Sequence, residues 1–497
     1  MNHEGALLAV DQGTSSSRAI AFSTSGEILE VAQHPFGQIY PRPGWVEQDP
    51  EIIVATTLRA ILEVLERLRQ RGIGVIAIGL TNQRETTIGW SRRTGTAVCN
   101  AISWQDRRTA DRCHHLAVAG EETRLSTKTG LRLDPYFSAS KMEWILDNAP
   151  NARAMAGRGE LALGTIDSFL IARLTRGATH LTDASNASRT ALYDIRANLW
   201  DAELCDLFGV PLACLAEVRD CAGEFGTTDP SVLGARIPIT GIAGDQQAAL
   251  IGQAGLREGD VKSTYGTGAF LMLNTGDRFV RSSRRLLTTI AYRTMGRTVY
   301  ALEGSILSAG TTVQWLRDGL GLFEHAEDIE RLASSVPDSA GVYLVPAFTG
   351  LGAPYWELEA RGAIVGLTRS SSRAHIARAG LDSVAFQTWD LLEAMRVDGV
   401  APVTLKVDGG MSRNSFLLQR LADILGIPIQ RPRVVEATAW GAACLAGLGA
   451  GVYRSLDDTI ALWHADACFE PKLESQYQRF ELDGWHAALR SVIRAKP

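Results

Sequence analysis

The feature that most constrains the fold is a stretch near the N-terminus, residues 6–22, which reads ALLAVDQGTSSSRAIAF. Leu7–Val10 is a short apolar run typical of a buried strand, and Asp11 stands where that strand is expected to leave the sheet. A turn with one glycine and four hydroxyl residues follows, and Ala19–Phe22 is apolar again. The pattern predicts two strands joined by a small polar turn with a carboxylate at its entrance.

This turn has the chemistry of a phosphate and metal site. Gly13 lets the backbone approach a ligand closely. Turn N–H groups that point the same way bind anions, and the hydroxyls of Thr14, Ser15 and Ser16 add donors. A carboxylate such as Asp11 beside bound phosphates is a typical ligand of Mg²⁺. A plain hairpin with serine in its turn has the same local pattern, so this stretch alone leaves both interpretations open.

Later stretches of the chain repeat this pattern of an apolar strand followed by a turn of small or polar residues. Apolar runs end in an acid followed by small or polar residues at Asp245 and at Asp408, and another run ends in the glycine-rich turn at residues 266–268. A strand–turn–strand pattern near the start of each half indicates an ancient duplication. Phosphate binding through such turns is favoured over other nucleotide motifs, because the chain has no G-x-x-x-x-G-K-[ST], and residue 271 after the second glycine of the turn is leucine, which breaks the dinucleotide pattern G-x-G-x-x-G.

Length, charge and cysteine content restrict the class of protein to which this chain can belong. The chain has 497 residues, which predicts roughly three domains or two large ones, and strands alternate with helices as in α/β proteins. A net charge of −5 argues against a nucleic-acid-binding surface. No apolar stretch reaches the ~18 residues of a membrane span, and the N-terminus lacks the pattern of a signal peptide. Seven scattered cysteines without a C-x-x-C pair fit reduced thiols, so we expect a cytoplasmic protein without membrane insertion.

Individual elements follow from periodicity and end signals. A helix is expected from Pro50 with Asp49 as its cap, and further helices over 165–174, 305–320, 373–395 and 438–448. The pattern restarts near Gly255–Asp260, where we place the boundary between the two domains.

The motifs together resemble the FGGY carbohydrate kinases, which have the actin-like, ribonuclease-H-like ATPase fold. They occur in the family's order along nearly the whole chain, and NQRET together with GDQQAAL is typical of the members that phosphorylate glycerol. The motifs are DQGTSSSR (11–18), YPRPGWVEQDP (40–50), TNQRETT (81–87), DPYFSASK (134–141), GIAGDQQAAL (241–250), STYGTG (263–268), VPAFTGLGAPYW (345–356) and VDGGMSRN (407–414).

The resemblance implies an ATP-dependent kinase that converts glycerol to sn-glycerol 3-phosphate in a cleft between two domains. Residues 1–254 would bind the polyol and the phosphates, and residues 255–497 would bind adenosine. Asp11 would hold Mg²⁺, directly or through water. The implied catalytic residues are Asp245, Asp11 and Arg18; the polyol-binding residues are Arg84, Glu85, Trp104, Tyr136, Asp245, Gln246 and Phe270; the nucleotide-binding residues are Thr14, Ser15, Ser16, Arg18, Thr267, Gly310, Gln314, Gly410 and Asn414.

Physical chemistry supports a polyol pocket of this composition. Hydroxyls both donate and accept hydrogen bonds, so Arg84 beside Glu85 offers donors and an acceptor at one point, and Gln246 offers both. A polyol that lacks one hydroxyl would leave a buried polar group unpaired, at a cost of ~1–3 kcal/mol. Asp245, at a strand end before a helix, can accept the proton of the attacking hydroxyl.

Alternatives remain at this stage. Adjacent charges such as Arg84 and Glu85 are most often a surface ion pair, and Asp245 is also placed to cap the following helix. The chain could be a kinase for another short polyol or triose, or an actin-like or chaperone-like ATPase. We expect a homo-oligomer, either a dimer or a tetramer. A loop that binds a sugar bisphosphate inhibitor in some family members is replaced here by residues 229–235, so no such feedback site is expected.

Overall fold

The computed structural model describes residues 5–357, 359–434 and 436–494. The N-terminal half is built on a six-stranded sheet in which the first strand, Ala6–Gln12, pairs antiparallel with Ser16–Ser23 on one side and parallel with Val75–Asn82 on the other. In spatial order the strands are Ala222–Thr227, Pro238–Gly244, Val75–Asn82, Ala6–Gln12, Ser16–Ser23 and Ile28–Pro35.

The C-terminal half repeats this plan in a seven-stranded sheet. Its strand Asp260–Tyr265 pairs antiparallel with the next strand along the chain and parallel with Thr404–Asp408, as the first strand of the N-terminal sheet does with its neighbours. The two matching sheets confirm the predicted α/β class and two-domain architecture. In spatial order the strands are Leu287–Thr294, Arg297–Ile306, Ala269–Gly276, Asp260–Tyr265, Thr404–Asp408, Ile429–Pro432 and Ala465–Phe469.

Smaller sheets and helices surround these two. A four-stranded sheet contains Glu47–Gln48, Ala101–Ile102, Thr87–Ser91 and Leu161–Thr165, and short pairs join Tyr193–Asp194 to Leu199–Trp200, Leu181–Asp183 to Glu217–Arg219, and Tyr343–Val345 to Ala363–Val365. The α-helices are Pro50–Gln70, Ala110–Val118, Glu122–Thr129, Ser138–Asn148, Ala152–Gly157, Ile166–Leu174, Ala184–Ala187, Ala202–Leu207, Pro230–Leu233, Asp245–Gly252, Gly310–Gln314, Asp328–Ala333, Arg373–Val397, Ser415–Leu425, Ala437–Gly449, Asp457–Ile460 and Ser475–Arg494, with 3₁₀ turns at Leu212–Cys214 and Gly410–Arg413 and a π-helical turn at Trp315–Gly319.

A pair of helices joins the halves. Helix Ala437–Gly449 from the C-terminal half packs on the N-terminal sheet and against helix Asp245–Gly252. Their backbones are in close contact, because a Cβ added to Gly441 would lie 1.8 Å from the carbonyl oxygen of Ala248. The small residues of helix Ala437–Gly449 therefore allow the close contact between the two halves.

Most predicted elements are present, with one clear error and one shift. The helix expected over 305–320 is wrong at its start, because Ser305 and Ile306 pair in the sheet with Phe270 and Ala269. The helix begins only at Gly310 and is short. The first strand also continues past Asp11 to Gln12, so Asp11 lies inside the hairpin opposite Arg18 rather than at the strand's exit.

The described residues include no helix that is both long enough and apolar enough to cross a membrane. All seven cysteines are unpaired, as expected from their scattered positions.

Candidate active site

The N-terminal hairpin places the first charged pair. Asp11 and Arg18 are direct partners across its two strands. Burial raises the pKa of Asp11 to about 6, Arg18 opposes this rise, and the neighbouring carboxylates of Asp245 and Glu436 add to it. The acids expected at two different strand ends are thus close enough to repel each other.

The turn hydroxyls are partly engaged. The Gly13 N–H donates to Ser16 O at 2.9 Å, which closes the turn. The Thr14 hydroxyl accepts from Trp104 Nε1 at 3.0 Å, and the Ser16 hydroxyl accepts from Gln33 Nε2 at 2.9 Å. Ser15 is exposed. The turn therefore touches one wall of the expected polyol pocket through Trp104.

Arg18 is also paired with Glu436, a residue that sequence analysis missed. Glu436 directly precedes helix Ala437–Gly449, so this ion pair joins the two halves. The Nε atom of Arg18 is buried and has no hydrogen-bond partner among the described residues. Arg18 therefore retains a donor that an incoming anion could use.

Arg84 and Glu85 are not the exposed ion pair considered above, because they are 3% and 1% exposed. Arg84 forms a bidentate ion pair with Glu303 of the C-terminal sheet, with Nη1–Oε2 and Nη2–Oε1 distances of 2.6 and 3.0 Å. Arg189 donates to Glu85 Oε1 at 2.6 Å and to Glu303 Oε1 at 3.0 Å. Two arginines and two glutamates thus form a buried network that spans both halves.

In this network the positive charges of Arg84 and Arg189 offset the negative charges of Glu85 and Glu303. Burial alone would raise the pKa of Glu303, but Arg189 and Arg84 lower it to about 2. Burial raises the pKa of Glu85 despite the same two arginines. Sequence analysis missed Glu303 and Arg189, since neither belongs to a motif. A single charge inside an apolar strand, as at Glu303, is the signal that could have identified one of them.

Asp245 is the first residue of helix Asp245–Gly252, at the end of strand Pro238–Gly244. Its Oδ1 accepts the N–H of Gln246 at 2.7 Å and lies 3.2 Å from Arg84 Nε. The Asp245 side chain is about one-third exposed, whereas Arg84 is buried. The carboxylate of Asp245 is therefore accessible on one side, and on the other side it contacts the buried guanidinium of Arg84.

Aromatic rings form a wall beside these charges. The Trp104 ring lies 5.8 Å from Tyr136 and 6.4 Å from Phe270, both edge-on. Trp104 and Tyr136 come from the N-terminal half and Phe270 from the C-terminal half. The Tyr136 hydroxyl accepts from Arg84 Nη2 at 3.4 Å. The structure thus brings together all the residues named for the polyol pocket.

The glycine-rich turn at 266–268 belongs to the C-terminal half and joins strands Asp260–Tyr265 and Ala269–Gly276. The Gly266 N–H donates to Gly268 O at 2.9 Å, and the Thr267 carbonyl accepts from Ala309 N at 3.1 Å. A Cβ on Gly310 would lie 2.5 Å from Gly266 O, so only glycine fits there. Thr267 is exposed at the tip of the turn.

The remaining residues named for adenosine have different surroundings. Asn414 caps helix Ser415–Leu425, with its Oδ1 accepting from Leu417 N at 2.8 Å. Gln314 is exposed at the end of its short helix. A Cβ on Gly410 would meet nothing within 4 Å, so open space lies in front of it. That space leaves room for a flat ligand to approach the backbone.

Lys262 is a further residue of the cleft that sequence analysis missed. Its side chain is fully buried, and its ammonium donates to Gln246 Oε1 and, at 3.1 Å, to Thr264 Oγ1. Burial lowers the pKa of Lys262 to about 8, against the opposing effects of Asp408 and Asp245.

The acids of the cleft fit a divalent cation that is shared with phosphates. The described residues contain no cluster of three or more His, Cys, Asp or Glu side chains able to hold a metal by themselves. Mg²⁺, however, usually takes one or two carboxylates and completes its shell with phosphate oxygens and water. The repulsion between Asp11 and Asp245 is what such a cation would relieve.

Comparison with known proteins agrees with this geometry. The profile of the FGGY family of carbohydrate kinases, N-terminal domain, matches residues 6–252, and that of the C-terminal domain matches residues 261–450. The chain is 55% identical to glycerol kinase 1 of Pseudomonas aeruginosa over 98% of both proteins, and 53% identical to glycerol kinase of Rhodospirillum centenum over the full length of both.

Among solved structures, it is similar to Plasmodium falciparum glycerol kinase with ADP. The TM-score is 0.94 at 35% identity, over 98% of each chain.

Proposed function

The chain belongs to the FGGY family of carbohydrate kinases, and from that premise we propose that it transfers the γ-phosphoryl group of ATP to glycerol, giving sn-glycerol 3-phosphate. The observation that carries this proposal is the cleft between the two halves. There a partly exposed carboxylate, Asp245, stands against a buried arginine network and an aromatic wall. Full-length relatives named glycerol kinase support the choice of substrate.

The pocket suits a short polyol. Asp245 and Gln246 offer polar atoms at the helix start, and Arg84 and Glu85 contribute fixed charges behind them. The rings of Trp104, Tyr136 and Phe270 would lie against the carbon edge of the substrate. A site that pairs each hydroxyl discriminates strongly, since an analogue without one leaves a buried polar group unpaired.

Asp245 acts as the general base. It accepts the proton of the attacking hydroxyl while that hydroxyl's oxygen bonds to the γ-phosphorus. The bond between the γ-phosphorus and the oxygen that bridges it to the β-phosphate breaks, and ADP leaves with that oxygen. Arg84 Nε, at 3.2 Å from Oδ1, fixes the carboxylate in place. Phosphoryl transfer depends mainly on such positioning and on neutralising charge on the phosphate oxygens.

The phosphates would be held by both halves. Thr14, Ser15, Ser16 and Arg18 address them from the N-terminal hairpin, and Thr267 addresses them from the C-terminal turn. Asp11 would hold Mg²⁺, which would supply positive charge to the phosphate oxygens. Gly310, Gln314, Gly410 and Asn414 would line the adenosine site, where the open space in front of Gly410 leaves room for a nucleoside.

A substrate panel tests this proposal. Formation of ADP from ATP and Mg²⁺ is measured with glycerol, erythritol, dihydroxyacetone and no acceptor. We expect kcat/KM to be highest for glycerol. A preference for another acceptor would identify a different polyol kinase, and equal ADP formation without an acceptor would indicate an ATPase.

Two further expectations belong to this function. We propose a cytoplasmic location, where ATP is available, and a homo-oligomer, either a dimer or a tetramer. Fractionation of the cells and light scattering of the purified enzyme test them.

A further inference from the structure

Lys262 connects the C-terminal sheet to the polyol pocket. It lies on strand Asp260–Tyr265, is fully buried, and donates from Nζ to the Oε1 of Gln246. A second hydrogen bond runs to Thr264 Oγ1 at 3.1 Å. Gln246 belongs to helix Asp245–Gly252, so this contact crosses from one half of the protein to the other.

The contact fixes the orientation of the Gln246 amide. An ammonium is a donor only, whereas an amide has one accepting oxygen and one donating nitrogen. With Oε1 turned toward Lys262, the NH₂ group is directed away from it. Gln246 Nε2 has no hydrogen-bond partner in residues 5–357, 359–434 and 436–494, and its side chain is partly exposed beside Asp245. Its two donors are therefore free for a ligand.

Burial of this lysine is costly and needs an explanation. Removing an ammonium from water is unfavourable unless charges and hydrogen bonds compensate for it. Asp408 and Asp245 are the opposite charges that act most strongly on Lys262, yet neither forms an ion pair with it within 4.0 Å in the described part of the chain. Its direct partners are the neutral side chains of Gln246 and Thr264.

We propose that Lys262 is a positioning residue for the polyol pocket, holding Gln246 so that its amide NH₂ donates to a substrate hydroxyl. This inference rests on the proposed function. It gives Gln246 a donor role only, so the hydroxyl it meets acts as the acceptor. That hydroxyl's own proton remains available for another group of the pocket.

The test compares Lys262→Met with a matched control, Lys406→Met. Lys406 is in register with Lys262 on the neighbouring strand and lies on the same face of the sheet. Its ammonium donates to the backbone oxygen of Ala254 at 2.9 Å and lies 4.7 Å from the ring of Trp463. Both substitutions replace a lysine by an apolar side chain of similar length, but only one removes the contact to Gln246.

We expect Lys262→Met to raise the KM for glycerol by about 10-fold or more, the effect of losing a charge-assisted hydrogen bond. The KM for ATP should change by less than about 2-fold, because the partners of Lys262 are Gln246 and Thr264, which are not among the residues named for the nucleotide. General damage to the fold would instead raise the KM for both substrates. Lys406→Met should leave both values unchanged. An unchanged KM for glycerol in Lys262→Met, or equal changes for both substrates, would overturn the proposal.

A double variant tests whether Lys262 acts through Gln246. If it does, Lys262→Met combined with Gln246→Ala should bind glycerol no more weakly than Gln246→Ala alone. Additive losses would overturn this role. If Lys262→Met does not fold, Lys262→Arg serves instead, since the guanidinium keeps the charge but moves the donors, and a normal KM for glycerol would again contradict the proposal.

The unaltered enzyme separates the two hypotheses. Its failure to phosphorylate any polyol of the panel would contradict the proposed function together with this inference. Normal turnover of glycerol, with an unshifted KM in Lys262→Met, would contradict the positioning role alone.

Discussion

The role of each residue in this cleft depends mainly on the side chains that it contacts. Arg84 was identified from its motif as a donor to the polyol, but most of its donors are directed at Glu303, Gln247 and Tyr136. Its Nε, which faces Asp245, is the exception. Motif residues could be predicted from the sequence, and Glu303 left one signal as a single charge inside an apolar strand. Arg189 and Lys262 could not be predicted, because the charges that surround them come from distant parts of the chain.

His180 provides a residue-scale prediction on stability. It is partly buried against the edge of Trp90, with ring centroids 5.1 Å apart, and its Nε2 lies 3.2 Å from Leu163 O. Burial and the charge of Arg92 together lower its pKa to about 4. Above pH 6.5 neither the folded nor the unfolded state is protonated at this position, so His180 contributes no pH dependence there.

As the pH falls from 6.5 to 4, the unfolded chain binds a proton that the folded chain does not. The free energy of unfolding should therefore fall, by about 3 kcal/mol in total for this residue. His180→Gln should lose this part of the pH dependence in denaturant titrations, while the exposed His114→Gln should keep it. Identical pH profiles for the unaltered protein and His180→Gln would contradict the assignment.

At the scale of elements, hairpins were easier to predict than helices. The glycine and hydroxyl residues at 13–15 and 266–268 are local turn signals, so these turns could be predicted from adjacent residues alone. Both hairpins are present as expected. The residues at 305–306 were assigned to a helix because local periodicity is ambiguous over short apolar runs. Their strand conformation is set by pairing with Phe270 and Ala269, which are far away in sequence.

The helix pair between the halves gives the element-scale prediction. Gly441→Ala would place a methyl group 1.8 Å from Ala248 O, so the two helices must separate. We expect a loss of about 1–3 kcal/mol in the free energy of unfolding, measured in urea. The control is Gly157→Ala, a helical glycine whose added Cβ would meet nothing within 4 Å, which should be neutral or slightly stabilising. Equal effects of the two substitutions would contradict the close packing.

At the scale of the whole molecule, one buried ion-pair network and one partly exposed ion pair join the two halves. Glu303 of the C-terminal sheet neutralises Arg84 and Arg189 of the N-terminal half, and Glu436 pairs with Arg18. Family resemblance predicted that the two halves meet at one cleft. The identity of the charges that hold them there depends on tertiary packing and was not visible in the sequence.

Glu303→Gln tests this connection. Arg189 would keep only Glu85 as a carboxylate partner, and Arg84 would keep Glu85 and the partly exposed Asp245. We expect the free energy of unfolding to fall by about 3–5 kcal/mol, measured by calorimetry. Glu160→Gln is the control, since Glu160 and Arg158 form an exposed pair at 2.8 Å and its loss should leave the melting temperature unchanged. A normal melting temperature for Glu303→Gln would show that the network does not stabilise the folded protein.

The proposed phosphoryl transfer depends on Asp245 acting as a base at the junction of the two halves. The most direct measurement is turnover by Asp245→Asn, with glycerol binding followed separately by calorimetry. We expect kcat to fall by about 10²–10⁴-fold while glycerol still binds, because the amide keeps the shape of the side chain but cannot accept the proton. Catalysis by a base at this position requires that loss. A variant that binds glycerol and retains the kcat of the unaltered enzyme would contradict it.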